Sequence, residues 1–103
     1  MAEPDDDAAA LGNDLKGHRG RLRKRLFEGG GEALLDHELI EYLLAIAIPR
    51  GDTKALAKAL MREFGGIGGV LTADPAALAR VDGMGEISTA AIKIAHAAAI
   101  RLL

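Results

Sequence analysis

Apolar residues recur along this chain at helical spacing, in short blocks separated by Gly and Pro. From His18 to Glu28, Leu22 and Leu26 stand four apart with Phe27 beside them, which predicts a first helix ended by Gly29-Gly30-Gly31. Asp36 is the expected cap of a second helix, with Leu39, Ile40, Leu43, Leu44 and Ile46 or Ala47 as its buried stripe and Pro49 as its stop. Asp52 or Thr53 opens a third, in which Leu56, Ala57, Leu60, Met61 and Phe64 repeat up to Gly65. A glycine-weakened segment around Ile67 to Leu71 follows, then a short turn of helix from Asp74-Pro75 to about Arg80. Asp82-Gly83-Met84-Gly85 reads as a tight turn. Glu86 to Leu103 reads as the last helix, expected to bury Ile87, Ala91, Ile94, Ala95, Ala98 and Leu102. No segment alternates as a strand does, so the expected fold is all-α: a compact five- to six-helix domain over residues 17–103.

Composition narrows the chemistry. Aromatic residues make up 3% of the 103, too few for a base-stacking platform, and the absence of cysteine removes thiolate chemistry and disulfides. No apolar run approaches the roughly 18 residues of a membrane span. The opening residues are acidic where an export signal is basic and then apolar, so the expected location is the cytoplasm. Of 15 acids, five fall in residues 1–16 with one of the 13 bases, Lys16. That segment reads as a disordered acidic leader. What remains, 10 acids against 12 bases, is mildly basic.

The segment Leu78 to Ile92 carries the most specific pattern. It has an apolar pair three apart (Leu78, Val81), then Gly83-Met84-Gly85, then Thr89 and Ile92 on the following helix. This resembles the helix-hairpin-helix motif of DNA-handling proteins. The glycines permit positive φ and keep side chains away from an approaching ligand, Met84 can pin the turn inward, and the amides opening the next helix form an anion site that suits a DNA phosphate. Thr89 stands where the motif prefers Ala, and Asp82 where Pro is frequent. A shift of 32 residues lays Ile46, Pro49, Gly51-Asp52-Thr53, Ala57 and Leu60 on the same positions, a degenerate second copy in which Arg50 and Lys54 supply charge. Chance likeness between two helical hairpins is the competing explanation.

Arg19, Arg21, Arg23, Lys24 and Arg25 put five bases in seven residues. They present either a cationic face for a polyanion, or an ordinary solvated face or a helix docked on acids such as Glu38 and Glu41. Lys93 adds a base behind the hairpin. Two look-alikes fail: Gly65 to Gly69 follows a helix where a dinucleotide loop follows a strand, and His37-Glu38 lacks the second histidine of a zincin helix.

Taken together, Gly17 to Arg25, Asp36-His37-Glu38-Leu39, Ala47-Ile48-Pro49-Arg50-Gly51-Asp52-Thr53-Lys54 and Val81 to Gly85 resemble the N-terminal domain of the RadC family, also designated UPF0758. The resemblance implies a parent protein with a following metal-dependent JAB/MPN-like hydrolase domain, bearing a His-x-His and Asp signature that is absent from these residues. No catalytic residue, cofactor or metal is therefore expected in this chain. The expected partner is DNA, bound weakly and without sequence preference through Gly83, Gly85, Gly51, Thr53, Arg50, Lys54, Lys93 and the Arg19 to Arg25 run. The alternative is a protein-interaction module that positions the hydrolase domain or pairs two copies of the chain.

Overall fold

In the computed structural model the described residues are 4–103, with side chains from Leu15 onward. Six helices follow one another: α1 (Pro4–Gly29), α2 (Asp36–Ala47), α3 (Thr53–Phe64), α4 (Ile67–Thr72), α5 (Pro75–Ala79) and α6 (Glu86–Leu102), with a 3₁₀ turn at Gly31–Ala33. No strand occurs among the described residues, and the all-α expectation holds. The helical span of α1 runs back from the expected start at His18 to Pro4. Of the leader expected over residues 1–16, residues 1–3 lie outside the described residues, as do the side chains of residues 4–14.

Local chemistry accounts for the helix ends. Asp52 caps α3 by accepting the Lys54 amide at 2.9 Å, and Gly65 closes it in the left-handed region at φ 79°. Pro75 occupies the first turn of α5, where its missing N–H costs nothing. The second helix starts one residue earlier than a cap at Asp36 implies. Leu35 precedes it, and the Glu38 carboxylate reaches back to the Leu35 amide at 2.8 Å.

Ile40 and Leu44 of α2, Ala57 and Leu60 of α3, Val70 of α4, Leu78 of α5 and Ile92 of α6 form one buried cluster. Leu56, Met61 and Phe64 pack against it, so the stripe predicted for α3 is the observed one. The stripe predicted for α6 is not. Ile87 and Ile94 are 68% and 69% exposed, and Ala98 and Leu102 face solvent, while Ser88, Thr89 and Ile92 are buried. The helix sits on the core by the side that follows directly from the Val81–Gly85 turn, where small Ser and Thr side chains allow close approach. Ile46 likewise ends 69% exposed at the end of α2.

Polar groups fasten α1 to this core. Leu22 inserts as its one fully buried anchor among the described residues. Around it, Arg25 forms a forked pair with Glu38 at 2.8 and 2.9 Å and also donates to the Ala33 carbonyl. His18 donates to the buried Glu41 at 2.5 Å, and Arg23 donates to the Tyr42 hydroxyl. Arg19 spans the turn after α2, donating to the carbonyls of Ile48, Pro49 and Gly51 at 3.3, 2.5 and 2.8 Å. On α2 itself the Glu41 carbonyl accepts from Thr53 Oγ1, tying down the start of α3.

The hydrogen bond from Arg25 holds the Glu38 carboxyl at about 2, against an ordinary 4.5, and outweighs the burial that pushes it up. A carboxylate depressed in the folded state adds stability above its unfolded value, and this is lost as pH falls from 4.5 through about 2. Thermal melts across that window are expected to show a steeper acid loss in the native chain than in Glu38→Gln. Urea unfolding is expected to show Arg19→Ala losing about 2 kcal/mol with its three carbonyl contacts, and Arg21→Ala changing stability by less than about 0.5 kcal/mol.

Candidate nucleic-acid interface

The link between α5 and α6 is built from main-chain geometry. The Val81 amide bonds the Leu78 carbonyl and the Met84 amide bonds the Val81 carbonyl, which curls the chain back on itself. Gly83 closes the bend at φ 96°, and a Cβ placed there would stand 3.3 Å from Leu56 Cδ1. The conformation requires glycine here, while the contact asks only that the Leu56 methyl give by a few tenths of an ångström. Met84 turns inward and packs on the core beside Val81, as expected for a pin. With Leu78, Thr89 and Ile92 buried, each apolar or small position of the sequence pattern faces inward.

Gly85 plays a different part from the one its sequence suggests. Its φ of −141° is ordinary extended backbone, and nothing lies within 4 Å of the place a Cβ would take. Its amide donates to Ser88 Oγ at 2.8 Å, while the Ser88 hydroxyl donates to the Gly85 carbonyl at 3.2 Å. The nitrogen expected to face a ligand is therefore occupied. The open amides are the next three, at Glu86, Ile87 and Ser88, which find no acceptor among the described residues. Ser88 makes only the returning half of a capping box, since Gly85 has no side chain to take the Ser88 amide.

The 32-residue shift has a partial structural counterpart. Gly51 takes φ 109° where Gly83 takes 96°; Ala57 and Thr89 are both buried; Leu60 and Ile92 are both wholly buried. The helices before the turns do not correspond, since Ile46 is exposed where Leu78 is buried and Pro49 is exposed where Val81 packs. The two turns nonetheless meet. Gly51 and Gly83 line one groove of about 390 Å³, floored by Ile48, Leu56 and Ala59 and edged by Asp52, Thr53 and Asp82. At α3 the Asp52 carboxylate already fills the anion position.

The bases fall into two groups. Arg19, Arg23 and Arg25 spend their guanidinium groups on α2 and the turns beside it; of the three only Arg25 docks on an acid, Glu38, while Glu41 is taken by His18. Lys93 is likewise engaged, its ammonium donating to the Leu71 and Ala73 carbonyls at 2.8 and 2.9 Å and closing the end of α4. Arg21, Lys24, Arg50 and Lys54 are exposed and form no ion pair among the described residues. Sequence reasoning missed Arg80 and Arg62, which line a second groove of about 450 Å³ with Glu63, adjoining the first at Ala59 and Asp82. Among the described residues no cluster of three or more His, Asp or Glu is placed to hold a metal ion, and no helix is long and apolar enough to cross a membrane.

The family model described as UPF0758 N-terminal matches residues 17–90. A UPF0758 protein of Rhodobacter capsulatus is 49% identical over 81 residues, covering 79% of this chain and 38% of the relative. A UPF0758 protein of Ruegeria pomeroyi is 46% identical over 88 residues, covering 85% and 39%. No solved structure matches. The chain thus spans less than two fifths of the length of these relatives, and with its matched region taking in both glycine turns and the basic helix, it belongs to the UPF0758, or RadC, family.

Proposed function

We propose that this chain is a DNA-binding module of the helix-hairpin-helix type, which holds the phosphate backbone without reading sequence. One observation carries the reading: three amides at the start of α6 lack acceptors and stand behind a turn cleared of side chains, beside a second glycine turn on the same groove. Amides of that kind, at the positive end of a 17-residue helix, attract an anionic oxygen. Arg50, Lys54 and Arg80 add long-range attraction, while Asp52, Asp82 and Glu86 oppose it. The balance favours weak binding, of the order of the 10⁻⁴–10⁻⁶ M that marks non-specific contacts at physiological salt. Arg21 and Lys24 are exposed on α1 and add positive charge to the domain. The hydrolase chemistry implied for longer family members would belong to polypeptide outside these residues, with this module supplying the nucleic-acid contact.

Fluorescence anisotropy with a short duplex at two salt concentrations tests the reading. Contacts to two to four phosphates are expected to give a slope of log affinity against log salt between about −2 and −4. Gly85→Val, which fits the observed backbone and open space, is expected to leave the melting temperature unchanged and weaken binding at least tenfold or so. Gly83→Ala is expected to destabilise the fold itself by about 1–3 kcal/mol. No binding at low salt, or full binding by Gly85→Val, overturns the proposal.

A further inference from the structure

The outward face of α6 has a periodicity of its own. Ile87, Ala90, Ile94 and Ala97 recur at alternating steps of three and four, all exposed, with Ala91 and Ala98 beside them. The spacing is that of a and d positions over about one and a half heptads, and the domain leaves this short seam bare. Ile46 of α2 forms a shoulder along it, and the two helices enclose an apolar groove of about 570 Å³. Of the charged groups on α6, Glu86 and Arg101 lie at the ends of the seam, and Lys93 is turned toward the carbonyls of Leu71 and Ala73.

From this face we infer that its occupant is a second copy of the chain, packed through α6 in antiparallel register. The argument is one of size and charge. With the twofold axis passing at the level of Ile92, Ile87 stands opposite Ala97 of the second copy and Ala90 opposite its Ile94, and the same two layers repeat beyond the axis. Each layer then sets one large side chain against one small one, which fills space without crowding and brings the helices to the short end of the usual 8–10 Å separation. A parallel pairing sets Ile87 against Ile87 and Ala90 against Ala90, alternately crowded and empty. It also brings Glu86 beside Glu86 and Arg101 beside Arg101. The antiparallel register places Glu86 one helical turn from Arg101 of the second copy and opposes the helix dipoles. Such an interface is isologous and closes at two.

The seam and its shoulder offer far fewer residues than the roughly 20–30 a side of a standard complex, so the dimer is a weak one, with a dissociation constant of about 100 µM. The inference goes beyond the phosphate reading and does not rest on it.

Sedimentation equilibrium of the 103-residue chain from about 10 µM to 1 mM is expected to show monomer passing to dimer. Ile94→Glu, at a position exposed in the single copy, is expected to raise the dissociation constant at least tenfold or so with unchanged helicity and melting temperature. Because the chain lacks cysteine, register is read directly. Ile87→Cys mixed with Ala97→Cys is expected to form a disulfide several-fold faster than either variant alone. A monomer across the whole range, a dimer indifferent to Ile94→Glu, or self-linking of Ile87→Cys at the rate of the mixture each overturns the inference.

Discussion

Two carboxylates on the inner side of α2, Glu38 and Glu41, govern how the rest of the chain is arranged. Removing ionised groups from water is costly unless they are paired and hydrogen-bonded. Here the partners come from α1: Arg25 forks onto both oxygens of Glu38, and His18 reaches one oxygen of Glu41, whose Oε1 stays buried without a partner among the described residues. This fixes the rotation of α1 about its axis, sends Leu22 into the core and swings Arg19 onto the carbonyls that end α2. The conformation of the Pro49–Gly51 turn, and with it the position of the first glycine bend, thus depends on a base thirty residues earlier in the chain. Arg21 and Lys24 are outside because the other sides of the helix are spoken for.

This constraint shows what a linear reading can and cannot contain. Helix ends were legible to within a residue or two wherever one side chain decides them: Asp52 as cap, Gly65 in the left-handed region, Pro75 at a first turn. The stripes of α3 were legible because that helix has one apolar face. On α6 the pattern offered two faces, Ile87-Ala91-Ile94-Ala98 and Ser88-Thr89-Ile92, and hydrophobicity favoured the wrong one. The choice between them is made by the Val81–Gly85 turn, whose hydrogen bonds and inward Met84 set the rotation at which α6 leaves it. A period reports that a stripe exists, and only tertiary geometry says what covers it.

The same distinction applies to the bases. Five in seven residues is a true electrostatic feature of the sequence, yet three of them are structural struts, because the acceptors that claim them, the Gly51 carbonyl, the Tyr42 hydroxyl and the Glu38 carboxylate, lie 13 to 32 residues away. Lys93 fails as a free cation for the same reason: α4 ends with its Leu71 carbonyl and the neighbouring Ala73 carbonyl facing α6, and an ammonium satisfies both. The open charges are those on turns and outer faces, Arg50 and Lys54 among them, where no acceptor competes. Gly83 was the better guide, since its positive φ is set within the turn it occupies.

Comparison of the two turns shows how one has been closed and the other left open. At α3 the carboxylate of Asp52 takes the Lys54 amide, so the positive end of that helix is neutralised from within. At α6 the cap residue is Gly85, which has no side chain to offer, and Ser88 returns to the Gly85 amide and leaves the three that follow without acceptors. A hydroxyl there satisfies the turn without adding negative charge. Asp82 and Glu86 still stand close by, so a single open helix end gives a weak anion contact. Pairing two copies through α6 would set two such ends roughly 18 Å apart along the helix pair, and two weak contacts held at a fixed separation bind a polyanion far more tightly than either does alone.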